Sequence, residues 1–460
     1  MEQKQIFKKN DRKEIFGWLM YDWANSVFYT TVVSVLVGPY LINLAQADVG
    51  INGTIFSFGF LGSVTAESLV SFTLGVSVLA QVLFLPILGS IADYTNLKKK
   101  LMAFFCYLGV SASSLLFFIT GGSYLLGCLL LMIANMSFAA ANVFYNAFLI
   151  DLTTEDKRDK ISSYGFASGY IGGIIMLVLN LGLLQYSDYF GMTRGMAARI
   201  SMLFASLWWG GFGFLTFYLV RSRDAIKQPP ENKSLVTIGF VEVWQTLKQL
   251  KKLRYTMFFL IAYLFYNDGI QTVILNSSIF LSQELYISKG LETNQSFLLG
   301  IFLVAQVAAL IGSLLFERVA RVLGAKRTIL VCLLIWCGIV CFAYGFLNNF
   351  IQAWIMGFLI GLVLGSTQAL SRSLYSQMIP VGRESSFFGL YEISEKGTSW
   401  MGQIVFGVVV ASTGSFRQAI LALIVFFVVG SLILLFTNTT QAIHEAGNLT
   451  PEEAESFEPA

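Results

Sequence analysis

The sequence predicts an all-α integral membrane protein whose twelve transmembrane helices form two six-helix bundles, a 6+6 pseudo-repeat. Three observations support this fold class. The 460 residues are 56% hydrophobic, with a mean hydropathy of +0.69. Only 12% of the residues are charged, about half the average of roughly 25% for soluble domains. Apolar runs of about 20 residues, the length that a bilayer-spanning helix needs, recur along the whole chain, and a polar linker divides them equally.

The apolar runs place the individual spans. We expect them at about 16–44, 68–92, 101–120, 124–149, 162–186, 197–220, 256–283, 296–317, 328–347, 350–378, 386–411 and 416–437. The first run is too long for a signal-peptide core and no cleavage pattern follows it, so it should remain as span one. All five cysteines lie inside apolar runs and the only histidine is His444. We therefore expect no metal site and no cofactor.

Basic residues predict the orientation. With the N-terminus in the cytoplasm, 24 Lys and Arg residues fall in inner segments and 4 in outer ones. This asymmetry is a strong positive-inside signal, so both termini should be cytoplasmic. The net charge of +3 is explained by topology, and no nucleic-acid partner is expected.

The expected domains follow from the spans. They are a cytoplasmic N-tail (1–15), an N-terminal bundle (16–220), a linker (221–255), a C-terminal bundle (256–437) and an acidic tail (438–460) that should be disordered. In the linker, apolar residues recur at helical spacing, and lysines occupy the other face: Phe240, Val243, Trp244, Leu247 and Leu250, against Lys248, Lys251 and Lys252. This pattern predicts an amphipathic helix on the inner membrane surface, with a partner-binding helix as the alternative.

An internal repeat is visible at the ends of corresponding spans. Asp93 and Lys98 are five residues apart, as are Arg321 and Lys326 in the second half. The sequence "DLTTEDKRDKISSYGFASGY" after span four matches "QMIPVGRESSFFGLYEIS" after span ten in its Arg and Gly positions. Such weak internal symmetry is typical of transporters built from repeated halves.

Several motifs resemble a known family. The pattern of Gly89, Ala92, Asp93, Lys98 and Lys99 is similar to the signature loop of the major facilitator superfamily. The segments "YDWANS" (21–26), "FYNAFLIDLT" (144–153), "YNDGIQT" (266–272) and "QALSRSLYSQMIPVGRESSFFGLYEISEKG" (368–397) resemble its vacuole-effluxer-like branch. That branch includes fungal autophagy-linked exporters of vacuolar amino acids and bacterial members.

The resemblance implies a major facilitator fold that works by alternating access, with an inner gate. The implied gating residues are Gly89, Asp93, Lys98, Lys99, Arg158 and Arg383. Two positions depart from the pattern: Asn96 stands where the signature loop usually has Gly, and Arg321 where the second half could repeat the Asp. The gate chemistry should therefore depend mainly on the first-half loop.

Polar residues inside the spans are the candidates for substrate or coupling-ion contacts, because intramembrane charges are costly and usually face the bundle interior. Asp22, Asn25 and Tyr29 lie on one face of span one at helical spacing, and Asp268 lies near the midplane of span seven, the repeat partner of span one. The full set is Asp22, Asn25, Tyr29, Asn142, Asn146, Asn267, Asp268, Gln271, Gln368, Arg372, Glu392, Glu395 and Lys396.

Other roles remain open for several of these residues. Asp22 could cap a helix or lock the inner gate, and Glu392 could pair with Lys396 or with Arg372. The asparagines, Asn135 included, fit interhelical hydrogen bonding at least as well as ligand binding. Two glycine series, at Gly357, Gly361 and Gly365 and at Gly165 and Gly169, indicate close helix packing.

These observations lead to a functional expectation. The chain should be a non-enzymatic secondary active or facilitative transporter of a small polar solute, amino acids first, with proton coupling left open. Its partners would be the solute and the bilayer, and it should act as a monomer. The alternatives are export of a drug or sugar and, more distantly, a non-transporting membrane enzyme or receptor. The host membrane would be bacterial inner membrane or, in a eukaryote, the vacuolar membrane.

Overall fold

Twelve membrane spans account for most of the chain in the computed structural model. It describes residues 9–51, 53–57, 63–223, 235–396 and 400–457, with the backbone alone for 235–240, 295, 396 and 457. Eleven of its helical stretches are long and apolar enough to cross a membrane. The expected span eleven is the twelfth: it is described as two shorter helices, Glu384–Lys396 and Trp400–Thr413.

The six spans of the first half begin within four residues of their predicted starts. Span one is Arg12–Val27, continued by a π-helix, Phe28–Leu36, and by Val37–Val49. A two-stranded antiparallel hairpin follows, Thr54–Ser57 with Ser63–Thr65. Spans two to six are Leu69–Asp93, Lys98–Leu115, Tyr124–Leu152, Arg158–Gln185 and Arg194–Leu219, with single 3₁₀ turns at Leu116–Phe118, Gly121–Ser123 and Glu155–Lys157.

The second half repeats this arrangement after a linker helix, Leu235–Lys252. Spans seven to ten are Arg254–Leu285, Gln295–Leu323, Ala325–Gly345 and Phe350–Gln377, with a 3₁₀ turn at Ile287–Lys289. After the two helices of span eleven, span twelve is Phe416–Ala422 with Ile424–Phe436. We call the end of the bundle that carries the tails, the linker helix and the loops after spans two, four, eight and ten the basic end.

The described part of the acidic tail is ordered, so the expectation of disorder was wrong. Two short helices, Thr439–Glu445 and Pro451–Phe457, follow span twelve. The side-chain amide of Asn448 donates to the carbonyls of Gln377 (2.7 Å) and Ile379 (2.8 Å) at the end of span ten. Composition alone suggested disorder. The carbonyls at the end of span ten need hydrogen-bond donors, however, and the Asn448 side chain supplies them and fixes the tail in place.

Glycines allow the closest helix contacts, as the sequence predicted. In span ten, a Cβ on Gly361 would meet the Ala305 carbonyl oxygen of span eight, and one on Gly365 would meet that of Ala309. In span five, a Cβ on Gly169 would meet Ser26 of span one. These small residues let the backbones approach, which is how helices associate tightly in lipid.

Candidate functional site

A buried polar network joins the two halves, with Arg372 of span ten at its centre. Arg372 is 3% exposed, and both of its terminal nitrogens lie 3.3 Å from Oδ2 of Asp22 on span one. Its Nε donates to the hydroxyl of Ser162 on span five (2.9 Å), and Nη2 donates to the Ser162 carbonyl (2.8 Å). The cation of one half is thus paired with an acid of the other, as a buried charge requires.

Three aromatic rings of the first half enclose this guanidinium. Its central carbon lies 5.0 Å from the ring centroid of Trp18, 5.6 Å from Tyr145 and 4.3 Å from Phe166. Cation–π attraction of this kind strengthens when the site is desolvated. Gly165 lets the groups meet, because a Cβ there would strike both Asp22 and Arg372.

Asn146 of span four extends the network to span eleven. Its side-chain oxygen accepts from Arg372 Nη1 (3.4 Å), and its nitrogen donates to Oε1 of the buried Glu392 (2.9 Å). Asn146 therefore lies between Arg372 and Glu392, the two residues for which the sequence suggested a direct pair. Separately, the side-chain nitrogen of Asn25 donates to the side-chain oxygen of Asn142 (2.8 Å) and joins spans one and four.

Four further polar candidates, Gln368, Tyr29, Gln271 and Glu395, lie farther from the basic end. Gln368, one helical turn before Arg372, accepts a hydrogen bond from the Tyr170 hydroxyl (3.3 Å) across the halves. Tyr29 is 40% exposed and stacks on Phe138 with centroids 6.0 Å apart. Gln271 and Glu395 are partly exposed.

Span seven holds both parts of span eleven through two consecutive residues. The Asn267 amide donates to the Glu395 carbonyl (2.7 Å), near the end of the first helix. Oδ2 of Asp268 accepts from the backbone N–H of Gly402 (2.8 Å), in the first turn of the second helix. Asp268 is fully buried, and its Oδ1 has no hydrogen-bond partner among the described residues. The side chain of Lys396 lies outside the described residues.

Asp93 closes the basic end between span two and span eleven. Its two carboxylate oxygens accept the backbone N–H groups of Ser385 and Ser386 (both 2.8 Å), and Oδ2 also accepts the Ser386 hydroxyl (2.5 Å). A carboxylate at a helix N-terminus satisfies free N–H groups and complements the helix dipole. Gly89 makes room for this contact, because any residue with a Cβ at this position would meet the Ser385 carbonyl oxygen.

Two further predicted gating residues, Lys98 and Arg158, form ion pairs at the same end. Lys98 pairs with Asp151 (3.0 Å) and Arg158 with Glu155 (2.7 Å), and Arg158 also donates to the Ser376 carbonyl of span ten (3.4 Å). Lys99 is half-buried.

Arg383, in the loop after span ten, reaches the linker helix. It pairs with Glu242 (2.9 Å), which also accepts from the Tyr94 hydroxyl (2.8 Å). Burial and this hydrogen bond raise the pKa of Tyr94 to about 12, so the hydroxyl stays protonated and keeps donating.

Several residues of these contacts were missed by the sequence analysis: Trp18, Phe166, Ser162, Glu242, Ser385 and Ser386. Trp18 precedes Asp22 by one turn, which was the only local signal for the aromatic enclosure. The π-helix that follows Val27 was also missed; such segments are frequent at functional sites. In the part of the chain that the structure describes, the side-chain hydrogen bonds given above between the two halves lie between the level of the Tyr170–Gln368 pair and the basic end. They include the contacts of Arg372, Arg158 and Asp93. This end of the interface is closed.

Comparison with known proteins gives the family. A family profile described as "Vacuole effluxer Atg22 like" matches residues 10–447. An uncharacterised MFS-type transporter, YxiO, of Bacillus subtilis is 33% identical over 430 residues, which cover 93% of this chain and 95% of the relative. Autophagy-related protein 22 of Kluyveromyces lactis is 25% identical, over 98% of both chains.

Solved structures show the same fold. The human organic anion transporter MFSD10 aligns with a TM-score of 0.68 at 12% identity, covering 93% of this chain and all of that one. The proton:xylose symporter XylE aligns at 0.66 with 13% identity, over 96% and 98% of the two chains. With the fold, the profile and the relatives in agreement, the chain belongs to the vacuole effluxer Atg22-like family of major facilitator superfamily transporters.

Proposed function

We propose that this transporter moves small zwitterionic solutes, neutral amino acids first, by alternating access between its two halves. The observation that carries the proposal is the network of Asp22, Arg372, Asn146 and Glu392. In it, the carboxylate of Asp22 on the first half faces the guanidinium of Arg372 on the second half. When the basic end opens, Arg372 and Asp22 must separate inside the membrane. Unpaired buried charges are costly there.

A zwitterion suits this step because it can replace both lost partners at once. Its carboxylate would pair with Arg372 and its ammonium group with Asp22 or Glu392. A neutral sugar offers no formal charge to either group, and a hydrophobic drug leaves both unpaired. Occupied halves would therefore separate at a lower cost than empty ones, which links binding to the conformational change.

The positive-inside pattern supports a cytoplasmic location for the basic end. The arrangement described above would then be the state closed to the cytoplasm, with both termini inside. Transport would require the network and the Asp93 contacts to break and re-form in each cycle.

Proton coupling is part of the proposal, and Asp268 is its best candidate. One of its buried oxygens has no partner among the described residues, and an added proton would remove the buried negative charge. Protonation would also weaken its hold on the Gly402 N–H, since a charged acceptor makes the stronger hydrogen bond.

The test uses purified protein in sealed liposomes, with uptake or release of labelled neutral amino acids measured with and without an imposed pH gradient. We expect saturable flux that is absent from protein-free liposomes and from the Arg372→Gln variant, and that follows the gradient. Folded protein that moves no amino acid but moves sugars or drugs would overturn the substrate class. Amino-acid flux that ignores the gradient would remove proton coupling alone.

A further inference from the structure

The linker helix presents its polar side to the protein and its apolar side outward. Glu242 and Thr246 are each only 2% exposed, whereas Val241, Trp244 and Leu247 are 39%, 61% and 37% exposed. The sequence analysis placed Lys248, Lys251 and Lys252 on the face opposite Trp244 and Leu247, and this was wrong. All five residues are exposed on the outward side, because the buried side of the helix is instead the one that carries Glu242 and Thr246. The buried carboxylate shows an attachment made to the protein.

Glu242 uses that attachment to connect the two halves. It accepts a hydrogen bond from Tyr94, directly after span two of the first half. It also pairs with Arg383, in the loop between spans ten and eleven of the second half, and Arg383 reaches Thr246 as well (3.5 Å). The linker helix is therefore a latch across the closed basic end, next to the Asp93 contacts.

The outward side of the latch has the chemistry of a membrane-surface helix. Lys248 lies over the Trp244 ring, with its nitrogen 5.5 Å from the ring centroid. Lys251 and Lys252 are exposed on the same stretch. Tryptophan favours the headgroup region, and lysines beside an apolar stripe are attracted to anionic lipids.

The position of the helix indicates that its outward face contacts the bilayer rather than a soluble partner. The helix ends at Lys252, and span seven begins at Arg254. One residue separates the two, so the lysines are held at the level where span seven enters the membrane. Each basic residue near an anionic surface strengthens binding by about fivefold.

We propose that the outward face of the linker helix (Val241, Trp244, Leu247, Lys248, Lys251 and Lys252) binds anionic phospholipid headgroups and that this contact stabilises the closed basic end. A helix held by lipid on its outward face keeps Glu242 directed at Tyr94 and Arg383. Lipid binding and latch closure then favour each other, as linkage requires. The inference concerns regulation of the proposed alternating access and does not depend on the solute.

The experiment measures the closed population directly, without substrate. Spin labels at the exposed positions Lys100 and Val322, one in each half, would be introduced into a variant whose five cysteines are alanine. Distance distributions would be recorded in nanodiscs of phosphatidylcholine alone and of phosphatidylcholine with phosphatidylglycerol. We expect the ratio of closed to open protein to rise several-fold with the anionic lipid.

Two variants locate the effect. Replacing Lys248, Lys251 and Lys252 with Gln should abolish the lipid response and leave the distribution in phosphatidylcholine unchanged. Glu242→Gln should also abolish the response. The helix would still bind lipid, but it would no longer hold Arg383, so lipid binding could not stabilise the closed state. The matched control replaces Lys160, Arg318 and Arg327 with Gln, since these residues are exposed at the same end and carry the same charge; it should keep the full response.

Three results would overturn the proposal. One is equal closed populations in the two lipid compositions. Another is loss of the response in the control triple variant, which would mean that general surface charge is responsible. The third is closure that ignores lipid and appears only with added cytosolic protein, which would assign the face to a protein partner. Absence of amino-acid flux would refute the proposed substrate. The lipid experiment would still test the present proposal, because it measures the closed population without substrate.

Discussion

At the scale of single residues, the two intramembrane aspartates differ. Asp22 pairs across the halves with Arg372, which is 350 positions away in the chain. Asp268 instead accepts a backbone N–H of span eleven within its own half. Both lie on repeat-related helices and both were candidates for substrate or coupling-ion contacts, but Asp22 makes a contact between the halves and Asp268 a contact at a helix end.

The first prediction concerns the Asp22–Arg372 pair. Arg372→Gln should lower the free energy of unfolding by about 3–5 kcal/mol, because it leaves the Asp22 carboxylate buried without a cation. The double variant Asp22→Asn, Arg372→Gln should recover part of that loss, since neither charge remains. Thermal and denaturant unfolding in detergent would measure both.

The exposed Arg194→Gln is the control for that pair and should leave stability within about 0.5 kcal/mol of the parent. A double variant no more stable than Arg372→Gln would show that the two charges do not compensate each other.

At the scale of elements, spans eight and ten form a backbone-to-backbone contact lined by glycines. The repeat of Gly357, Gly361 and Gly365 every four residues predicted such a surface. The structure supplies its partner in span eight: the side chain of Ile301 faces Gly357, and the carbonyls of Ala305 and Ala309 face Gly361 and Gly365. The sequence could not name that partner, because a small-residue stripe packs against any helix with a matching groove.

The second prediction tests this contact. Gly361→Ala should destabilise the protein by about 1–3 kcal/mol, the usual cost of overpacking, because the new methyl would meet a backbone carbonyl that cannot move aside. Gly338→Ala in span nine is the matched control: nothing lies near its added Cβ, and alanine favours a helix over glycine by up to about 1 kcal/mol. Unfolding temperatures that fall equally for both would contradict the interpretation.

Both tails cap the ends of repeat-related spans. Asn10 donates from its backbone to the Leu152 carbonyl and from its side chain to Thr154 (both 2.8 Å), at the end of span four. Asn448 likewise donates to the last carbonyls of span ten and the loop after it, at Gln377 and Ile379.

The third prediction is that Asn448→Ala lowers stability by about 1–2 kcal/mol, because two carbonyls lose their donor. Glu455→Gln, an exposed change in the same tail, should have no measurable effect. Protection of the tail from limited proteolysis would report the same loss independently, and an Asn448→Ala tail as protected as that of the parent would contradict the capping role.

At the scale of the whole molecule, the repeated halves contribute unequally to the closed basic end. Asp93 of the first half holds the start of span eleven. Its repeat counterpart, Arg321, pairs within span eight with Glu317 (2.6 Å). We therefore propose that the first-half loop carries most of the gate.

The fourth prediction is that Asp93→Asn leaves the fold intact but shifts the population toward open and slows transport. Loss of the charge weakens three hydrogen bonds, and a change of about 1.4 kcal/mol would shift the ratio tenfold. The labels at Lys100 and Val322 would measure it, with the exposed Asp188→Asn as control. Unchanged distances together with normal flux would refute the gating role.

The sequence by itself determined the membrane class, the number and approximate bounds of the spans, and the positions of the costly polar residues. Hydrophobicity acts over each segment of about 20 residues, so it can be read locally. Tertiary structure alone decided which charges meet, that the linker helix turns Glu242 inward, and that Asn448 docks the acidic tail on the end of span ten. Those outcomes depend on partners far apart in the chain, and the partners are fixed only when close helix packing brings the two halves together.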